Sequence, residues 1–383
     1  MGQETLAMSE KERNRLILME QVRAESLLLV EAADALGVGY RQAKRIWARF
    51  QRQGASGLLH AGRDRFSNRQ FDPAVKERVL RLYREQYPDF GPTLASEKLA
   101  ERDGVEVHRE TLRRWLIAAC LWPGRTAHRR HRRRRQRRGH FGELVQLDGS
   151  HHAWFESRGA PACLMVMVDD ATGRTEALLA EGETLAAAFG VLGRWIERHG
   201  VPEALYTDRK NIYVSDREPT AEEKRLGTGA LTDFGRACWR LGIRQIVAHS
   251  AQAKGRVERK NGVFQDRLVK ELRLREIDAI EPANVILGDF TDDLNVRFAR
   301  AASAEANRHR ALPVGGSLAD ILCIERQRVV QNDWTFTLGA RVFQILPQAE
   351  APRARQRVCV RRRMDGTIQC LHEGRELQIE EAT

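Results

Sequence analysis

Residues 143–189, "ELVQLDGSHHAWFESRGAPACLMVMVDDATGRTEALLAEGETLAAAF", decide how the chain folds. "GELVQLDGS" and "ACLMVMVDDATG" read as adjacent strands, "RTEALLAEG" as a third, and "TLAAAFGVLGRWIERHG" carries the apolar spacing of an amphipathic helix. Further on, "EALYTDRKN" reads as a short strand, "LTDFGRACWRLGI" as a helix, "RQIVAHS" as a strand and "KGRVERKNGVFQDRLVKELRLRE" as a long helix. The order is βββαβαβα. Three consecutive strands ahead of the first helix argue against a doubly wound parallel sheet and for a mixed five-stranded one with helices on its faces.

Three acids take comparable places in that pattern. Asp148 closes the first strand in "LVQLDGS", Asp208 closes the fourth in "LYTDR", and Glu258 sits on the first turn of the last helix. Strand ends and helix starts beside a sheet are where ligand sites form in such folds. Singly, each has an ordinary explanation: a turn residue before Gly149, a partner for Arg209, an acid favoured by the helix dipole. Together they can converge, and converging carboxylates repel unless a cation joins them; hard oxygen ligands select Mg²⁺ or Mn²⁺. Asp169 and Asp170 read as hairpin-turn residues, and His151 and His152 as exposed. Lys254, Asn261 and Gln265 share the face of Glu258 and are placed to meet DNA, and Lys254, Arg256, Arg259 and Lys260 surround that acid with positive charge.

Upstream, the chain is helical and basic. Ser9 and Glu12 form a capping box for a first helix. A short helix through Leu36, a break at Gly37 to Gly39 and a second helix from Tyr40 to Gln51 have helix-turn-helix spacing; Ala43, Ile46, Trp47 and Phe50 make the apolar stripe, leaving Arg41, Lys44, Arg45 and Arg49 for DNA. A second unit has helices from about Pro73, Thr93 and His108, an Asp103-Gly104 turn, and Arg109, Arg113 and Arg114 on its last helix. Between Arg125 and Arg138 stand nine arginines and no acid, so that of the formal charge of +12 only +3 belongs to the rest of the chain. Such an arm cannot pack on itself and attracts phosphate backbone; Arg129, Arg130, Arg132, Arg133, Arg134 and Arg135 are its candidate contacts. Two tandem units and the arm predict DNA binding.

The remainder sets boundaries. No apolar run reaches the roughly 18 to 20 residues a membrane span needs, and the N-terminus lacks the apolar core of a signal peptide, so a bacterial cytoplasmic or nucleoid location is expected. Six scattered cysteines predict reduced thiols without structural zinc. From about Arg328 the sequence turns to short strands with turns at Leu338-Gly339, Asp365-Gly366 and Glu373-Gly374, which predicts a small β-barrel; "RRR" at Arg361 to Arg363 leans towards DNA. The expected domains are helix-turn-helix units at 1–66 and 67–124, the arm at 125–140, the α/β core at 141–276, a helical connector at 277–326 and the barrel at 327–383.

Four phrases, "LVQLDGSHHAWFE", "LMVMVDDATGR", "ALYTDRKNIY" and "HSAQAKGRVERKNGVFQDRLVKELR", resemble insertion-sequence transposases with an integrase-type catalytic core, closest to the ISNCY group. The resemblance implies a ribonuclease H-like core, a catalytic and metal-binding triad of Asp148, Asp208 and Glu258, and two Mg²⁺ or Mn²⁺ ions. It also implies binding to the element's terminal inverted repeats, cleavage of element ends, and joining of the 3′-OH to target DNA by homo-oligomers, with no membrane and no small-molecule cofactor. The 49 residues between Asp208 and Glu258 exceed the retroviral spacing, which fits "VSDREPTAEEKRLGTGA" as an exposed insertion. Two departures from the pattern, Ala251 for proline in "SPQ" and Lys210 after "DR", bear on activity. Lys210 either serves substrate phosphate or pairs with the triad and weakens metal binding. The alternative reading is a catalytically silent, domesticated transposase acting as a DNA-binding regulator; a nuclease that cuts without joining shares the site.

Overall fold

The computed structural model describes residues 6–60, 71–123, 135–248, 255–314, 317–349 and 351–382. The arm residues Arg129, Arg130, Arg132, Arg133 and Arg134, together with Ala251 and Lys254, lie outside them. The chain divides into two compact units, Met1–Arg125 and Thr126–Thr383.

In the first unit α1 (Glu10–Arg23) opens on the expected capping box: the Glu12 carboxylate accepts from the Ser9 N–H at 2.8 Å while Ser9 Oγ accepts from the Glu12 N–H. Helices α2 (Leu29–Ala35) and α3 (Tyr40–Gln53) follow, with Gly37 at φ +64° supplying the left-handed residue that ends α2. Met19, Ala32, Ile46 and Phe50 form the core beneath them. In the next three-helix group, α4 (Pro73–Gln86) is capped by Asp72, α5 (Pro92–Asp103) ends on left-handed Gly104, and α6 (Arg109–Ala118) is capped by His108. Leu99, Leu112 and Leu116 bury the shared face.

The second unit opens with β1 (Val145–His152), β2 (Ala162–Asp169), β3 (Thr175–Ala180), α7 (Leu185–His199) and β4 (Ala204–Thr207). It continues through α8 (Ala221–Arg225), α9 (Asp233–Arg240), β5 (Arg244–Val247), α10 (Gly255–Leu274) and α11 (Ile280–Phe298). The sheet order is β3-β2-β1-β4-β5, antiparallel across the first three strands and parallel across β1-β4-β5. This is the mixed sheet of the ribonuclease H-like fold, with α8 as a short helix within the expected insertion. One apolar layer, including Leu147, Met165, Phe189, Trp195 and Phe234, joins the sheet to α7 and α9; the other, including Leu164, Val166, Phe264 and Leu268, joins it to α10 and α11.

Helix α11, placed by sequence in a connector, packs on this second layer through Ala283, Leu287 and Leu294. It also closes the edge of the sheet. The Asn295 side-chain amide accepts from the Thr175 N–H and donates to its carbonyl, and Asn284 does the same at Leu179, all at 2.8 to 2.9 Å. An edge strand left bare would template pairing with another chain.

Beyond α12 (Leu318–Ile321), the strands β6 (Ile324–Val329), β7 (Thr335–Leu338), β8 (Arg341–Ile345), β9 (Arg357–Arg362), β10 (Ile368–His372), β11 (Arg375–Leu377) and β12 (Ile379–Ala382) form two antiparallel sheets, β11-β10-β9-β6 and β12-β8-β7. The closed barrel expected from sequence is corrected: among the described residues the two sheets share a core of Phe336, Phe343, Val358, Val360 and Cys370 without one continuous ladder. The chain crosses between sheets at Gln378, whose carbonyl accepts from Leu346 N–H. No helix among the described residues is long and apolar enough to cross a membrane.

Candidate active site

The positions of Asp148 and Asp208 follow from strand register. Parallel pairing sets Val145 beside Leu205 and Gln146 beside Tyr206; two residues beyond that pair on each strand come Asp148 and, just past the end of β4, Asp208, and both charges act on Lys210. Both are half-buried. Asp208 also accepts from the Lys210 backbone N–H at 3.3 Å, which turns the chain at the strand end.

Helix α10 lies along β1 in step with it. Gln146 Oε1 accepts from the Val257 N–H at 3.2 Å, Asn261 Nδ2 donates to Asp148 Oδ2 at 3.1 Å, and Gln265 Nε2 donates to Ser150 Oγ at 3.1 Å. Four helical residues rise about 6 Å and two strand residues about 6.6 Å, so positions 257, 261 and 265 can each meet 146, 148 and 150. Glu258 stands one turn before Asn261, exposed on the first turn, and pairs with none of the described residues. Asn261, read from sequence as a DNA contact, is buried against Asp148, and its Oδ1 has no partner among the described residues.

That first turn is fixed from below by an acid that sequence reading leaves in a turn. Asp170 is fully buried and accepts from Gln146 Nε2 at 2.8 Å, Arg256 Nε at 2.7 Å, the Arg138 N–H at 2.8 Å and Arg135 Nη2. Gln146 thus bridges Asp170 to the Val257 N–H, one of the otherwise unpaired donors at a helix start. Arg256 Nη2 donates to the Arg135 carbonyl at 3.1 Å, and Arg137 to the carbonyls of Asp170 and Ala171. The root of the arginine arm and the start of α10 share one anchor. Asp169 beside it accepts from the N–H groups of Gly142 and Thr172; burial pushes its carboxyl up against those bonds.

On the other side of Asp148 lies an acid that sequence reading missed. Glu183, just before the Thr184 cap of α7, has a side chain only 3% exposed. Its Oε2 forms an ion pair with Lys210 Nζ and its Oε1 accepts from Tyr213 Oη at 3.0 Å. Lys210 Nζ also stands 3.7 Å from Asp208 Oδ2. Burial alone would lower the Lys210 ammonium, but the bond to Glu183 and the charges of Glu183, Asp208 and Asp148 hold it above its ordinary value. A Cβ on Gly149 would land inside the Glu183 carboxyl. A glycine following Asp148 and a tyrosine three residues after Lys210 were the available signals.

His151, Cys163 and Glu183 offer ligand atoms within 4.8 Å of one another. They do not make a convincing metal site: the Lys210 ammonium occupies Glu183, and burial, with the Glu183 charge, pushes the Cys163 thiol up to about 12.

Of the sequence-predicted DNA contacts, Arg41, Lys44, Arg45, Arg109 and Arg114 are exposed on α3 and α6, and Arg49 is half-buried. Lys44 lies over the Tyr40 ring and Arg113 pairs with Glu110. Arg135 is engaged by Asp170. The expected basic ring around Glu258 is reduced: Arg256 is held by Asp170 and Lys260 is buried with no hydrogen-bond partner for its Nζ among the described residues, so of the described members Arg259 is the exposed one. In "RRR", Arg361 pairs with Glu325 and Arg363 with Asp320.

A homeodomain-like domain family matches residues 42–116, across the helix-turn-helix region. A putative transposase of Sinorhizobium fredii, y4bF, is 40% identical over 334 residues, 87% of this chain and 72% of the relative. The chain belongs to the insertion-sequence transposases. The transposase for insertion sequence IS1202 of Streptococcus pneumoniae is 28% identical over 304 residues, 70% of this chain and 64% of that transposase. Among solved structures, the simian T-cell lymphotropic virus intasome in complex with a PP2A regulatory subunit aligns over 78% of this transposase and 98% of the matched chain, with 16% identity and a TM-score of 0.35. The HTLV-2 integrase catalytic core domain in complex with magnesium aligns over 39% and 85%, with 21% identity and a TM-score of 0.29.

Proposed function

We propose that this transposase binds the terminal inverted repeats of its element through residues 9–124, cleaves the element's ends, and joins the 3′-OH ends to target DNA by phosphodiester transesterification at Asp148, Asp208 and Glu258. The observation that supports the reading is that the parallel β1-β4 pair leads to Asp148 and Asp208, both within charge range of Lys210, with α10 bonded to Asp148 one turn from Glu258.

The residues fit two divalent cations. All three carboxylates are hard oxygen donors, Glu258 is uncommitted among the described residues, and Asn261 Oδ1, beside Asp148, is a buried polar atom with no partner among them. Bound there, such ions supply activation of the attacking oxygen, neutralisation of charge on the phosphoryl oxygens and support for the departing 3′ oxygen. The protein's own part is positional. Asn261 fixes the Asp148 carboxylate, Gln146 and Asp170 fix the turn that carries Glu258, and Lys210 offers an ammonium to a phosphate oxygen at the rim. Arg41, Lys44, Arg45, Arg109 and Arg114 meet DNA from exposed helix faces, Lys254 and the arm follow its backbone, and two ends joined together require at least a dimer.

The test is strand transfer with pre-cut element ends in Mg²⁺. The wild-type chain joins ends to target; Asp148→Asn and Glu258→Gln lose about a thousandfold or more, as removal of roughly 4 kcal/mol of transition-state stabilisation requires, while still binding ends. Joining retained in either variant overturns the triad, and end binding without joining by the wild-type chain favours a silent regulator.

A further inference from the structure

Lys210 is the feature of the sequence that most threatens the site. An ammonium 3.7 Å from Asp208 is placed to occupy the position a divalent cation needs. The structure gives it another partner. Glu183 is nearly fully buried, takes the ammonium on one oxygen and the Tyr213 hydroxyl on the other, and sits in a recess that exists because residue 149 lacks a Cβ. Tyr213 is itself 3% exposed and packed on Phe234 at a ring-centroid distance of 5.1 Å, so the hydroxyl that orients Glu183 belongs to a rigid side chain.

We propose that Glu183 is a positioning residue that draws Lys210 towards itself and limits how closely the ammonium approaches Asp208, while leaving it, with its side chain 45% exposed, at the rim for a phosphate oxygen. The inference rests on the triad reading of Asp148, Asp208 and Glu258. The buried carboxylate has an uncharged donor on one side and Lys210 on the other, so neutralising it removes the dominant attraction on the ammonium from the side away from the triad. Lys210 then moves to the remaining negative charge, Asp208 first and Asp148 next. A cation already on Asp208 competes with Mg²⁺ or Mn²⁺ for the same oxygens. Glu183 therefore acts through Lys210 and has no need to touch the metal.

A buried carboxylate that merely stabilised the fold, or that ligated metal itself, would not depend on Lys210 in this way. Mn²⁺ binding to the full chain, followed by electron paramagnetic resonance of the free ion, separates the cases without relying on turnover. The expected results are an approximately tenfold weaker affinity in Glu183→Gln, an affinity equal to or tighter than wild type in Lys210→Met, and an affinity in the double variant within about twofold of Lys210→Met. Circular dichroism of each variant checks that it folds; if Glu183→Gln does not, the comparison of Lys210→Met with the double variant still decides. Wild-type affinity in folded Glu183→Gln, or a double variant much weaker than Lys210→Met, overturns the proposal. Asp208→Asn serves as the separate check on the triad: it loses Mn²⁺ binding if that reading is right, and unchanged binding overturns the triad reading and the role of Glu183 with it.

Discussion

Two pairs of acids on the same sheet meet opposite fates. Asp169 and Asp170 close β2 and are fully buried; Asp170 alone takes two arginines, a glutamine amide and a backbone N–H. Asp148 lies about 10 Å further along β1 and Asp208 just past the end of β4, both half-buried, where Asn261 is a neutral donor to Asp148 and Lys210 pairs with Glu183 and stands 3.7 Å from Asp208. The difference is what fixed donors do to a carboxylate. Surrounded by cations and N–H groups it becomes a structural joint, here between the arm root and α10; with fewer such donors it stays half-buried at a strand end.

The contrast predicts stability effects of opposite sign. Asp170→Asn strands Arg256 and Arg135 beside a buried neutral group, so the core loses about 3 to 5 kcal/mol. Urea unfolding followed by the buried Trp154 and Trp195 reads this, and an unshifted midpoint would erase the distinction between the two pairs. Gly149→Ala should sharpen it. Because the new methyl meets the end of a side chain and not backbone, folding costs about 1 kcal/mol or less, but Glu183 is displaced and Mn²⁺ affinity falls roughly fivefold, as a milder form of Glu183→Gln. Intact Mn²⁺ affinity in this variant would show that Glu183 has room to hold Lys210 from elsewhere. The smallest effect is expected from Asp148→Asn in metal-free buffer, where relief of repulsion raises stability by about 0.5 to 1 kcal/mol. A clear loss of stability there would make Asp148 structural like Asp170.

Legibility differed by element for physical reasons. Ser9-x-x-Glu12, Asp103-Gly104 and the hairpin glycines carry their geometry locally, so helix starts and turns were readable from neighbours in the chain. The βββαβαβα order survived because buried strands and amphipathic helices have different apolar periods. The barrel failed because closure depends on hydrogen bonds between strands distant in sequence, and no local pattern says whether they form. The burial of Asn261 and Lys260 was not legible because a polar side chain on a helix looks alike whether it faces solvent, a strand or an aromatic ring; Lys260 lies 5.9 Å from the Phe298 ring centre.

By itself the sequence determined the succession of elements, the basic helix-turn-helix surfaces and the three acids as candidates, since each depends on residues close in the chain or on a motif written out in order. Only the tertiary structure decided which acids are buried as anchors. Asp170 became an anchor when strand pairing and helix packing brought Arg135, Arg138, Gln146 and Arg256 to it. Glu183 became a partner for Lys210 when the end of β3 and the loop after β4 met over Gly149. A carboxylate's role is set by the charges and donors within a few ångströms, and those arrive from parts of the chain that no local pattern connects.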